Sequence, residues 1–152
     1  GKTVRVPAGG DWKVPGITPA AAYATGECFG IAFSFPCPIS GIIQSVRFVD
    51  RDNEGINKEL WLFRAPIVGT PVAGTVDNLA WQPTAADLLN FEGIVYVSGP
   101  STASGSQAYS IDGLGLAYTA PAGMLYGQWV TRGADNIAAA AEPLWSLRIL
   151  AD

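Results

Sequence analysis

Close to its C-terminus the chain reads LWSLRIL over residues 144–150, with Trp145, Leu147 and Ile149 set against Ser146 and Arg148. A period of two belongs to a strand with one buried face; a helical face repeats at three and four. The alternation recurs along most of the chain. ECFGIAFSF at 27–35 places Phe29, Ile31, Phe33 and Phe35 on one side and Cys28, Gly30, Ala32 and Ser34 on the other. In KELWLFRA at 58–65, Trp61 and Phe63 alternate with Leu60 and Leu62, so both faces read as buried. Similar runs lie at 3–6, 41–49, 92–97, 107–111, 114–119 and 123–132, with Gly and Pro turns between them. About eight or nine short strands of this kind predict an all-β protein, a single jelly-roll-like β-sandwich. GLG at 113–115 reads as a turn between two strands and STASGS at 101–106 as a polar hairpin tip.

One short helix is expected over PTAADLLN, 83–90, with Thr84 as N-cap, Asp87 three residues later, and Leu88 and Leu89 as its apolar anchor. NIAAAAEP at 136–143 is compositionally helical but lacks an apolar stripe and is stopped by Pro143, so it reads as a loop or a single turn. The first 26 residues differ in kind. They are rich in Pro, Gly and Ala without a period, which predicts an extended N-terminal arm (1–26) ahead of the sandwich domain (27–152). Trp12 lies in that arm and either folds back onto its own domain or anchors the arm in a neighbour's pocket. Thr3, Val4, Arg5 and Val6 can add a strand to a sheet edge of a neighbour. These five residues, Thr3 to Val6 and Trp12, are the candidate contact element.

Composition narrows the function. Charged residues are 14% of 152, against about 25% in an average soluble domain, and the mean hydropathy is +0.24. No apolar run approaches the roughly 18 residues of a membrane helix, and the N-terminus has neither an apolar leader nor a lipid-anchor pattern. A chain with so little charge for its surface is expected to meet other protein, as a subunit of an assembly. Nine scattered Lys and Arg and a net charge of −4 argue against nucleic acid.

Chemical sites are sparse. There is no histidine, which removes Ser-His-Asp and Cys-His pairs, and Cys28 and Cys37 alone cannot make a usual zinc set. Nothing marks the chain as secreted, so thiols are expected rather than a Cys28–Cys37 disulfide. DRDNEGINKELW matches the calcium-loop pattern at Asp50, Asp52 and Gly55, but Glu54 stands at the fifth position and Trp61 replaces the closing Glu. The loop is therefore read as a turn between antiparallel strands, with Asn53 and Gly55 allowing positive φ and its acids in solvent. Glu27, Glu59, Glu92 and Glu142 are the carboxylates from which a glycosidase pair would have to come. Of the tryptophans, Trp61, Trp129 and Trp145 read as core and Trp81 as a staple for the helix. No catalytic, metal or cofactor residue is expected.

The order of segments carries a resemblance. GIIQSVRFVDRDNEGINKELWLFR gives strand, polar turn and strand; VDNLAWQPTAADLLNFEGIVYV gives an acidic helical turn and a strand; LYGQWVTRGADNI and LWSLRIL close the domain. Over most of residues 23–152 this resembles the head decoration, or cement, proteins of tailed bacteriophages. The resemblance implies a jelly-roll-like sandwich, often a homotrimer, on the outer surface of the virion, where it bridges major capsid protein subunits. It brings no catalytic or cofactor residues. Two rivals make different demands: a carbohydrate-binding jelly-roll module on a phage fibre or head requires exposed aromatics, and a hydrolase requires a carboxylate pair.

Overall fold

The computed structural model describes residues 1–10, 12–18, 21–52, 54–69, 76–137 and 143–152. In chain order the elements are β1 (Lys2–Val6), β2 (Trp12–Lys13), β3 (Ala22–Tyr23), β4 (Phe33–Pro36), β5 (Ser40–Asp50), β6 (Lys58–Phe63), α1 (Ala85–Leu88), β7 (Phe91–Val97), β8 (Ser101–Ala103), β9 (Ser106–Thr119), β10 (Met124–Thr131), β11 (Asp135–Asn136) and β12 (Leu144–Ala151). One sheet runs β1-β12-β5-β9-β8, with β2 also on β12; the other runs β4-β10-β6-β7; β3 and β11 form a small pair.

Setting aside the short β2, β3, β8 and β11 leaves eight strands. The first, eighth, third and sixth of these form one sheet, and the second, seventh, fourth and fifth form the other. All their pairings are antiparallel. That order is a jelly roll, two Greek keys folded over a shared core. The core takes Ile43, Val46 and Phe48 from β5, Trp145, Leu147 and Ile149 from β12, Leu60 and Leu62 from β6, and Leu125 and Trp129 from β10. The alternation in β12 thus resolves as read, with Trp145, Leu147 and Ile149 at 2% exposure or less.

The expected arm is not an arm. Lys2–Val6 pairs along β12 from Lys2↔Ala151 to Val6↔Leu147 and supplies the first strand of the jelly roll. Without it, β12 would present a row of unpaired backbone groups beside the core. Trp12 folds back onto its own domain, its ring 4.8 Å from Trp145 and 5.3 Å from Phe35. Further along, Asp77 holds Thr18 and Tyr23: its carboxylate accepts hydrogen bonds from the Thr18 amide (2.9 Å) and hydroxyl (2.6 Å), the Tyr23 hydroxyl (2.8 Å) and the Gly30 amide (2.8 Å). Val14 and Tyr23 are buried. No domain boundary therefore falls at residue 26.

Other corrections share a cause in backbone geometry. The run 27–35 is not one strand. Gly30 turns it at φ +84°, pressed so close to the Pro15 carbonyl that a Cβ would collide, and Ile31 points outward at 43% exposure. GLG is not a turn. The chain passes straight through it in β9, where Gly113 and Gly115 take positive φ and the register against β5 slips between Ile43 and Ser45, a bulge. Ser104 and Gly105 do form the expected hairpin tip between β8 and β9. Asn53 and residues 138–142 lie outside the described residues, and so does most of the 136–143 reading.

The helix forms with the expected cap, but with a different buried side chain. The Thr84 hydroxyl accepts from the Asp87 amide, and the Asp87 carboxylate accepts from the Thr84 amide. Leu88 and Leu89 are exposed at 48% and 77%, because a single turn is too short to offer a buried face. Asp87 is buried instead and also accepts from the Val68 (2.9 Å) and Gly69 (3.0 Å) amides. Burial raises its pKa, but these backbone bonds outweigh that and hold it below the usual carboxylate value. Asp87→Ala removes the acceptor of three part-buried or exposed backbone amides, Val68, Gly69 and Thr84, and is expected to cost about 1–2 kcal/mol in a urea titration. A depressed carboxylate stabilises the fold above its unfolded pKa of about 3.9 and stops doing so as pH falls through the lower folded value. The gap between wild type and Asp87→Ala should therefore be full at neutral pH and close in acid.

Candidate functional site

The two sheets meet at a seam bordered by their edge strands β1 and β4, each of which has one hydrogen-bonded neighbour strand among the described residues. A shallow groove of 540 Å³ runs along the seam. Val4, Arg5, Val6 and Trp12 form one wall, and Pro36, Cys37 and Pro38 the other. Beside it, Trp12 also borders a smaller apolar recess with Phe33, Phe35 and Trp145. Of the five residues singled out as a contact element, four therefore line one groove; Thr3 sits on β1, exposed and outside it.

Both walls are held by the fold. Arg5 donates to the Pro7 (2.6 Å) and Gly10 (3.0 Å) carbonyls, which fastens the turn after β1. On the other side the Tyr118 hydroxyl donates to the Pro38 carbonyl (2.9 Å), and the Cys37 amide to that of Gly123 (3.1 Å). The groove is mostly apolar and carries one cation, Arg5, that other groups already engage. It offers an extended peptide the outer edge of β1 on one side and an apolar proline wall on the other. The proline–cysteine–proline wall was missed in the sequence, although its two prolines marked it as stiff.

Cys28 and Cys37 are not joined in a disulfide. Cys28 is completely buried, and burial pushes its thiol up to about 12. Cys37 is half-buried in the groove wall, and burial raises it as well. We expect a maleimide at mildly alkaline pH to label Cys37 at least ~10-fold faster than Cys28 in the native protein. Equal rates would mean that the chain around Cys28 opens readily.

The acidic loop differs from its reading. It crosses from β5 in one sheet to β6 in the other instead of joining paired strands. Gly55 does take φ +71°. Asp50, however, is 1% exposed, not solvated. It accepts from the Asp52 amide (2.9 Å), and it lies beside a buried ion pair, Lys58 Nζ to Asp135 Oδ2 at 2.7 Å. No group of three or more metal-ligating side chains occurs among the described residues.

The candidate glutamates among the described residues are engaged in structure, and Glu27 accepts from the Ala24 amide. Glu59 pairs with Arg132 (2.8 Å) and accepts from the Trp61 indole (3.0 Å). Glu92 pairs with Arg64 (2.7 Å) and accepts from the Thr119 amide (2.6 Å). Glu142 lies outside the described residues. Trp129 and Trp145 are buried as read, but Trp61, read as core, is half-buried outside the core cluster, where it packs between the half-buried Trp81 (5.8 Å) and Phe91 (5.5 Å). No family model and no curated protein matches the chain.

Proposed function

We propose that this chain is a non-enzymatic structural protein of a virion, one that decorates a tailed-phage head and stabilises it by bridging major capsid protein subunits. The observation that carries the reading is the seam groove. It is mostly apolar, fastened on both sides and bordered by the outer edge of β1, which suits an extended segment of another protein. The low charge content and exposed Ile39 (63%), Val68 (64%) and Leu89 (77%) agree with a protein that works against other protein. The segment order that resembles decoration proteins supports the same reading. Each contact of ordinary size would bury about 800 Å² per partner, and repetition over a symmetric lattice makes modest contacts collectively hard to break.

The test uses Cys37 as a reporter. Purified protein is added to phage heads stripped of outer proteins, and both maleimide labelling and co-sedimentation are followed. Binding should protect Cys37, and Ala8→Glu, an exposed change at the groove rim, should weaken co-sedimentation by at least ~10-fold without altering the fold. Binding with Cys37 still open would move the contact elsewhere. Failure to bind any head would remove the proposal.

A further inference from the structure

Lys58 opens β6, Asp50 closes β5 and Asp135 lies in β11, and the fold brings all three into the core. The side chains of Lys58 and Asp135 are both at 0% exposure, with Nζ 2.7 Å from Oδ2. Nζ also sits 4.8 Å from the centre of the Phe29 ring and 6.0 Å from that of Phe48, and donates to the Ile56 carbonyl at 3.0 Å. Beyond Lys58, no described group donates to either Asp135 oxygen, and Asp50 Oδ2 has no partner.

This is a poor place for charge. One ammonium faces two carboxylates in an aromatic pocket, with most of their hydrogen-bonding capacity unmet. A buried ion pair offsets its desolvation only when its remaining lone pairs and protons are satisfied. Burial pushes the Lys58 pKa down, although Asp135 pulls against it, and burial pushes the Asp50 pKa up. Burial thus favours a neutral amine at Lys58 and a protonated carboxyl at Asp50, close to the Asp135 carboxyl that the fold holds 2.7 Å from Nζ.

We propose that Lys58 and Asp135 are joined by an intramolecular isopeptide bond, which the folded chain forms by itself with Asp50 as its proton carrier. A proton passes from Nζ to the Asp135 carboxylate, leaving amine and acid. The Nζ lone pair attacks Asp135 Cγ, whose carbonyl oxygen is polarised by protonated Asp50. Asp50 then takes a proton from the nitrogen and delivers one to the departing hydroxyl. The new bond is Nζ–Cγ, the broken bond is Cγ–O, and one water leaves. No oxidant or cofactor takes part. The product is a neutral amide, which removes both charges from the core and links β6 covalently to the end of the β10–β11 segment.

Intact mass of the denatured full chain tests this directly. The expected mass is one water below that of the sequence, in essentially the whole population. Tryptic digestion should yield residues 52–64, uncut at Lys58, joined to 133–148. Lys58→Met and Asp135→Ala should show the full sequence mass. Asp50→Asn should fold, as judged by tryptophan fluorescence, and also keep the full mass. Should Asp50→Asn fail to fold, Asp50→Glu takes its place, with closure slowed at least tenfold. Folded wild-type protein at full sequence mass overturns the bond and leaves a plain buried ion pair. Closure of Asp50→Asn at the wild-type rate overturns the role of Asp50.

Discussion

Asp135→Ala lowers the stability of the folded chain by about 2–4 kcal/mol even before any covalent bond is counted, because it leaves the Lys58 amine buried in an aromatic pocket without its closest partner. That is a large part of the roughly 5–15 kcal/mol by which a domain usually holds together. The isopeptide bond adds a second effect. It closes a loop of roughly 80 residues, which chain entropy values on the order of 4 kcal/mol. Urea titrations separate the two. Asp50→Asn keeps the pair but loses the bond, so its deficit from wild type reports mainly the cross-link. Lys58→Met with Asp135→Leu and Asp50→Asn loses both but leaves none of the three charges in the pocket, and should be more stable than Asp135→Ala alone. If Asp135→Ala matched wild type, the buried pair would have no energetic role, and the pocket would have to admit water that relieves Lys58.

Deleting residues 1–6 should have an effect of similar or greater size. The truncation removes the whole of β1, uncovers one edge of β12, and exposes the core next to Val6, which is 6% exposed in the intact chain. Lost apolar burial at Val4 and Val6 alone is worth about 2–4 kcal/mol. The bared β12 edge, which carries Trp145, Leu147 and Ile149, then invites pairing between molecules. The expected result is a sharply lower urea midpoint together with aggregation on size exclusion. An unchanged midpoint would mean that β12 manages without this strand in its own molecule. For the same reason the groove is better probed by point changes such as Ala8→Glu, which leave β1 in place.

How much of this was legible beforehand depended on how local each feature is. The apolar faces of β5 and β12, the Thr84–Asp87 cap and the Ser104–Gly105 hairpin tip each rest on residues within a few positions of one another, and each formed as read; β6 formed as a strand, but with Trp61 half-buried instead of in the core. The first strand did not declare its partner. Thr3–Val6 alternates, but β12 lies at the far end of the chain, and the Pro- and Gly-rich segment after it looks the same whether it leads to an arm or back to a sheet. Gly113 and Gly115 misled for a related reason: positive φ serves a turn and a bulge equally. Asp50 was read as solvated because its loop is rich in charge. Its burial depends on Lys58 and Asp135 meeting it, a juxtaposition that no short window contains. The groove was half legible, since Val4, Arg5, Val6 and Trp12 were singled out while the opposite wall at Pro36–Pro38 was not.

The two inferences meet in mechanics. A covalent tie across a jelly roll suits a protein that must keep its shape while bound to a shell under load, and the tie remains testable whether or not the chain binds a capsid. The measurement that bears most directly on the account is a peptide mass-spectrometric inventory of virus particles purified from the culture from which this sequence comes. The account predicts this chain on the particles at a copy number comparable to that of the major capsid protein. Its absence, or presence at only a few copies per particle, would contradict a role in decorating the head.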